Sequence, residues 1–289
     1  MSDLKALRAR IKSVTSTQKI TKAMQLISAT KFTKAKNQIH DSEYYTEILY
    51  NIMANVGYRN NLQDLSEENK KFFVENSSKT HLLLVVTSER GLCGGFNFMV
   101  TKRVKYDIIN LENAGEQVKL IIIGKKGYDI LQGQYSTYID SYFEFPKSYD
   151  NNLSLQLKER VMMLATKSEI KNCQVYFNQY KNALVQIPTK KQILPVENQL
   201  KSQEESVIQY ELEGEGLIAN IVDLYVTSEI NYALIQSRAS EEGARMVAMD
   251  NATKNANNLI DKLTLKLNRS RQNLITNDLI EIIAGAEAI

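Results

Sequence analysis

From Ile235 towards the C-terminus, the chain places its seam residues alternately four and three positions apart. The steps land on Ala239, Glu242, Met246, Met249, Thr253, Ala256, Ile260, Leu263, Leu267, Ser270 and Leu274, and nine of the twelve positions are apolar. An average repeat of three and a half residues, sustained this far, predicts the seam of a left-handed coiled coil rather than one long helix of a soluble bundle. Residues 217–284 contain no proline and a single glycine, Gly243. As one helix they extend roughly 100 Å, at about 1.5 Å per residue.

The other end of the chain has a similar pattern. Residues 2–56 lack glycine and proline, and Leu4, Leu7, Ile11 and Val14 open a three-and-four pattern. It then slips one step, with Ile20, Met24 and Ile27 as the next apolar set. Ten of the twelve glycines and all three prolines fall between Gly57 and Gly216. The chain therefore divides into an N-terminal helix (1–56), a compact middle with an acidic return linker (57–216) and a C-terminal helix with its tip (217–289).

In the middle, residues 60–78 read as a polar connection. Residues 81–87 (HLLLVVT) and 118–123 (VKLIII) are nearly continuous apolar runs, the pattern of strands buried on both faces. Residues 135–143 and 173–180 predict two more strands, and residues 96–111, 125–131 and 153–168 predict helices. This alternation gives an α/β fold with a mainly parallel, Rossmann-like sheet covered on both faces and right-handed crossovers. Residues 197–215 carry six acids against Lys201 alone and read as an exposed linker.

The order of these parts fixes a geometry. Both long helices meet the middle domain at neighbouring ends, so each buries its stripe most simply on the other, antiparallel. The C-terminal helix is longer by about a dozen residues, so on the order of 20 Å of it projects alone. On that tip Ile275, Leu279, Ile280, Ile282 and Ile283 cover almost half the circumference, which calls for a sleeve supplied by other chains.

Composition narrows the function. Charged residues make up 24% and hydrophobic ones 43% of 289 residues, a folded-protein profile with no run long and apolar enough to span a bilayer. The net charge of +3 is uneven: residues 1–40 hold nine Lys or Arg against Asp3, which points to an acidic partner surface. A basic, amphipathic start also fits an organellar presequence, but acids at Asp41, Glu43 and Glu47 continue the pattern beyond what a leader needs. Cys93 and Cys173 with His40 and His81 match no zinc spacing and no disulfide framework, so neither metal nor cofactor is expected.

Three stretches are candidates for chemistry. Gly91, Cys93, Gly94 and Gly95 lie in GLCGG, after a strand and before a helix, where backbone amides can meet a phosphate. The spacing matches neither a dinucleotide fingerprint nor a P-loop, and the second strand ends in Gly124 and Lys125 without a ribose-binding acid, so a tight structural turn is expected. Cys93 has no activating motif around it and is not expected to be catalytic. In NRSRQNLIT (268–276), Arg271 beside Gln272 offers a planar fork and an amide, suited to a carboxylate or carbonyl on a partner or simply to water.

Four stretches together resemble one family: KSVTSTQKITKAMQLISATK (12–31), TSERGLCGGFN (87–97), ASEEGARMVAMDNATKNANNLI (239–260) and LNRSRQNLITNDLIEIIAGAEAI (267–289). They are similar, in order and across both arms and the middle, to the gamma subunit of F-type ATP synthases. The resemblance implies a non-catalytic central rotor stalk that couples ion-driven rotation of the membrane c-ring to the catalytic sites of the alpha and beta subunits. Its implied partners are those subunits, the epsilon subunit and the c-ring, with no nucleic acid and with membrane contact only through partners.

The same resemblance implies a catch formed by Arg271, Gln272, Thr276 and Glu281, and a beta-facing set of Lys22, Met24 and Arg245. The c-ring foot maps to Tyr210 and Glu211. Many relatives carry an acid followed by proline there, whereas Leu212 follows here, which weakens that assignment. With only two cysteines, the redox loop of chloroplast forms is absent. With no leader expected, the cytoplasmic face of a bacterial inner membrane is the expected location. The rival readings are a nucleic-acid protein using the basic first helix and a nucleotide enzyme using the GLCGG turn.

Overall fold

The computed structural model describes residues 2–59, 67–146, 151–196 and 216–287. Two helices dominate: α1 (Ser2–Arg59) and α6 (Leu217–Glu287). Between them come α2 (Glu67–Lys70), β1 (Thr80–Val86), α3 (Phe96–Asn113), β2 (Gln117–Ile123), α4 (Lys125–Tyr135), β3 (Ile139–Phe143), α5 (Asn151–Thr166), β4 (Asn172–Tyr180) and β5 (Gln186–Leu194). The chain forms two compact units, residues 30–244 and residues 1–29 with 245–289, and α1 and α6 each give a segment to both.

In the larger unit the sheet order is β3-β2-β1-β4-β5. The first four strands are parallel, and β5 returns antiparallel to β4. Period-two alternation splits β1 cleanly between two cores. Leu82, Leu84 and Val86 meet α5 (Leu157, Val161), the end of α1 (Leu49, Met53) and the start of α6 (Val222, Val226). Leu83 and Val85 meet α3 through Val100, Val104 and Ile108. Strands buried on both faces require such apolar runs, which is why the sequence shows them.

Three expectations need correction. Helix α1 does not stop at Gly57 but continues to Arg59. A glycine in a final turn costs little, because a helix end needs few of its hydrogen bonds. The third strand begins at Ile139, not at residue 135: Tyr135 closes α4, and a 3-10 turn (Ser136–Tyr138) precedes the strand. The aromatic and β-branched run from Tyr135 to Tyr138 has strand composition, yet it serves packing, since the Tyr135 and Tyr138 rings stack at 6.0 Å.

The third correction is β5, which the sequence did not announce. Pro188, Lys190 and Lys191 interrupt any apolar alternation, and this is the composition of an edge strand. A signal exists one step earlier: the side chain of Asn182 accepts hydrogen bonds from the Leu184 and Val185 amides at 2.9 and 2.8 Å, marking a turn directly after β4. Residues 60–66 of the polar connection and all of 197–215, including the acidic linker, lie outside the described residues.

At the amino end of the sheet, His81 is buried with Nε2 3.6 Å from Glu116 Oε2. Burial holds its pKa below the usual 6.5, helped by Lys171 and opposed by Glu116 and Glu75. As pH falls through about 6.5 the unfolded chain therefore takes up this proton before the folded one does, so stability declines on acidification. Melting temperature is expected to drop between pH 7.5 and pH 5.5, and His81→Gln should flatten that slope. An unchanged slope would assign the acid sensitivity to other groups.

Candidate functional site

The strand order reverses between β1 and β4, and in open α/β sheets ligands bind outside the carboxyl ends of strands at such a point. The loop leaving β1 carries the GLCGG turn. Leu92 and Gly94 adopt left-handed backbone (φ 63° and 61°), which a glycine accepts freely and a leucine rarely does. Thus Leu92 bears the strain of the turn, a feature that glycine spacing alone does not reveal.

Polar groups around the turn face one another. Asn97 accepts from the Ser88 amide at 2.9 Å, and its Nδ2 lies 2.7 Å from Ser88 Oγ and 3.4 Å from Cys93 Sγ. Asn178 Nδ2 donates to the Phe96 carbonyl at 2.9 Å. At the start of α4, the Lys125 amide donates to Glu89 Oε2 (3.1 Å) and the Lys126 amide to the Ser88 carbonyl (3.1 Å). Within the turn the Phe96 amide donates to the Cys93 carbonyl at 3.3 Å, and the Glu89 carboxylate stands beside the first amide of α4.

The crevice itself is filled by the chain. Cys93 and Phe96 pack on Ala244 of α6. A Cβ built on Gly243 would lie 3.4 Å from the Phe32 ring and 3.6 Å from Ala183 Cα in the β4–β5 loop. Helix α6 therefore packs against the turn through Ala244. The second thiol, Cys173, is fully buried, and its pKa is pushed far up, which leaves it inert.

In the smaller unit the helix segments run antiparallel. Thr21 and Thr253 hydroxyls meet at 2.7 Å, and Gln25 Nε2 donates to Asp250 Oδ1 at 2.9 Å. On α6 every seam position from Met246 to Leu274 is buried or half-buried, matching the sequence pattern. On α1 the seam does not slip. It continues from Val14 through Gln18, Thr21, Gln25 and Ser28, in unbroken three-and-four steps, all buried or half-buried. Ile20, Leu26 and Ile27 are instead 60%, 57% and 56% exposed. Polar, small residues hold the seam here, and apolar periodicity follows the outward face.

Beyond Leu274, every described side chain of α6 is exposed, including Ile275, Leu279, Ile280, Ile282 and Ile283. Arg271 and Gln272 just before Leu274, and Thr276 and Glu281 beyond it, are also exposed, with the Thr276 hydroxyl donating to the Gln272 carbonyl at 3.0 Å. Lys22 is exposed and its Nζ donates to Gln25 Oε1 at 3.0 Å, while Met24 is half-buried. Arg245 differs from the rest in being buried. Lys254 at 2.6 Å, the largest influence, holds the Asp250 carboxyl below its ordinary value. Tyr210 and Glu211 lie outside the described residues. Among the described residues no group of acids, cysteines and histidines has metal-binding geometry, and no helix is long and apolar enough to cross a membrane.

Comparison with known proteins places the chain. The ATP synthase family model matches residues 3–289. The ATP synthase gamma chains of Rickettsia akari and Rickettsia typhi are each 59% identical to it over 292 residues, covering all of both chains. Among solved structures, a chain of the Euglena gracilis mitochondrial ATP synthase (OSCP/F1/c-ring) has a TM-score of 0.68 at 18% identity, covering 99% of this chain and 94% of that one. A chain of the Tetrahymena thermophila central stalk and c-ring has a TM-score of 0.58 at 22% identity, covering 81% and 99%. Full-length identity to the Rickettsia chains, on a fold shared with rotary-synthase structures, shows that this chain belongs to the ATP synthase gamma chain family.

Proposed function

We propose that this chain is the central rotor stalk of an ATP synthase, a non-catalytic shaft that couples ion flow through a membrane c-ring to ATP synthesis in the alpha and beta subunits. The observation that carries this reading is α6 continuing past its partner helix with an exposed apolar tip. Apolar contact is non-directional, so such a tip turns inside a sleeve of other chains without locking. The α1–α6 coiled coil supplies torsional stiffness. Residues 1–56 and 217–289 act as the shaft and residues 57–216 as the foot.

In this reading Arg271, Gln272, Thr276 and Glu281 form a polar catch that distinguishes angular positions, each contact weak and exchangeable. Lys22, Met24 and Arg245 face the beta subunits, and Arg245 has to turn outward from its buried position to do so. Tyr210 and Glu211 reach the c-ring, and the epsilon subunit docks on the foot. The turn at Gly91, Cys93, Gly94 and Gly95 is structural, a reading supported by the packing of Cys93 and Phe96 on Ala244 of α6. The complex lies on the cytoplasmic face of a bacterial inner membrane, with no membrane span from this chain and no nucleic acid bound.

The test is co-expression with the alpha, beta, epsilon and membrane-sector chains of the same organism. The chain should copurify in the complex, and a bead attached to it should rotate during ATP hydrolysis. Tight ATP or NAD binding by the purified chain alone would overturn the non-catalytic assignment. Salt-dependent, tight DNA binding would favour the nucleic-acid alternative instead.

A further inference from the structure

Helix α6 carries a second stripe besides its seam. Glu229, Tyr232, Gln236 and Gly243 meet the β4–β5 hairpin, and the seam residue Ala239 between them lies in a cluster that Tyr180 of β4 packs against. Glu229 is fully buried, with its two carboxylate oxygens 2.8 and 2.7 Å from Lys191 Nζ on β5. The same ammonium lies 5.4 Å from the Tyr232 ring centre, and Tyr232 meets Phe177 of β4 edge-on at 6.1 Å. One turn further, Gln236 Oε1 accepts the Tyr180 amide at 3.0 Å. At the hairpin tip, a Cβ built on Gly243 would meet Ala183 Cα at 3.6 Å, an ordinary contact distance.

Apolar packing alone does not fix a helix against a sheet, since a shift of three or four residues presents a similar surface. A buried carboxylate does. Any such shift removes Glu229 from the one ammonium that reaches it and leaves a charge buried without a counter-ion, a penalty worth about a hundredfold or more in equilibrium. A buried ion pair adds little net stability compared with an apolar pair, and its best-attested use is to specify register.

We propose that the Lys191–Glu229 pair, with the Gln236–Tyr180 bond beside it, keys the β4–β5 hairpin to one axial and rotational register on α6. Twist applied to the sheet then passes to the helix without slip. The mechanical half of this statement rests on the rotary reading, and the register half does not.

The register is read by a disulfide reporter, Ala183→Cys with Gly243→Cys, in the full-length chain under mild oxidation. Ready cross-linking is expected with the native pair, and a rate at least about threefold lower in Lys191→Met/Glu229→Gln. The charge swap Lys191→Glu/Glu229→Lys should recover most of the rate. Unchanged cross-linking in the unpaired variant, or no recovery in a folded swap, overturns the proposal. Failure of both variants to fold also overturns it, since the pair would then carry stability instead of register.

In the assembled complex, the unpaired variant should keep ATP hydrolysis within about twofold and lose ion pumping per ATP several-fold. Normal pumping would refute the mechanical half. If the unaltered chain supports no coupled pumping, the rotary reading fails, and the cross-linking result is unaffected.

Discussion

Replacing Leu263 with glutamate is expected to unzip the smaller unit, while removal of residues 285–289 leaves it paired. Leu263 is 9% exposed in the seam of α6, so the substitution loses an apolar contact and places a carboxylate where only α1 can face it. Together these cost about 2–4 kcal/mol. The smaller unit rests chiefly on one helix-helix seam, and the α1 half of that seam is partly polar, so it has little reserve against such a loss. The truncation removes only residues that follow the last seam position, Leu274. Circular dichroism melts of both variants, with recovery of the assembled complex, provide the comparison. Equal loss of helix and of assembly from the two changes would contradict the division between seam and tip.

Gly124→Ala is expected to prevent the sheet from forming. Gly124 sits at φ +93° between β2 and α4, and a Cβ there would lie 2.3 Å from the Thr87 carbonyl oxygen and 2.7 Å from its carbon. The clash is with backbone, and Thr87 is held in place: its hydroxyl donates to the Ile123 carbonyl at 2.8 Å and accepts from the Gly127 amide at 2.9 Å. Overpacking together with an unfavourable left-handed backbone costs roughly 2–5 kcal/mol. Gly133→Ala in α4 is the matched control. Nothing lies within 4 Å of its added Cβ, and alanine favours a helix interior by about 0.5–1 kcal/mol. A Gly124→Ala chain that melts like the unaltered one would overturn the close approach at Thr87.

How much of this was legible in the sequence depended on who owned the apolar positions. On α6 the seam is apolar because it packs, so heptad counting found Met249, Ala256 and Leu263 at once. On α1 the same counting failed after Val14. The buried line passes through Gln18, Thr21, Gln25 and Ser28, whose polar groups are paired in part across the helices, while Ile20, Leu26 and Ile27 face outward. Periodicity reports apolar residues and not buried ones, and here the two part company. The strands of the parallel sheet were found for the opposite reason: buried on both faces, they leave no polar positions to confuse the pattern.

The turn was legible as a turn but not in its detail. Glycine spacing excluded a phosphate loop, yet only the structure shows that Leu92 takes a left-handed conformation and that Ala244, far away in sequence, packs on Cys93 and Phe96 beside it. Contacts between distant segments leave no local trace. The same holds for the buried carboxylate at Glu229, which sits in a stretch that reads as ordinary amphipathic helix until Lys191 is placed beside it.

The composition that hid β5 has a consequence for the newly made subunit. An unprotected sheet margin invites strands from other copies, but this one offers a proline with no amide to donate, while its lysines Lys190 and Lys191 are held by Asp107 and Glu229. The opposite margin, β3, is only five residues long. A copy waiting for its companions therefore resists fibrous self-association by its borders alone.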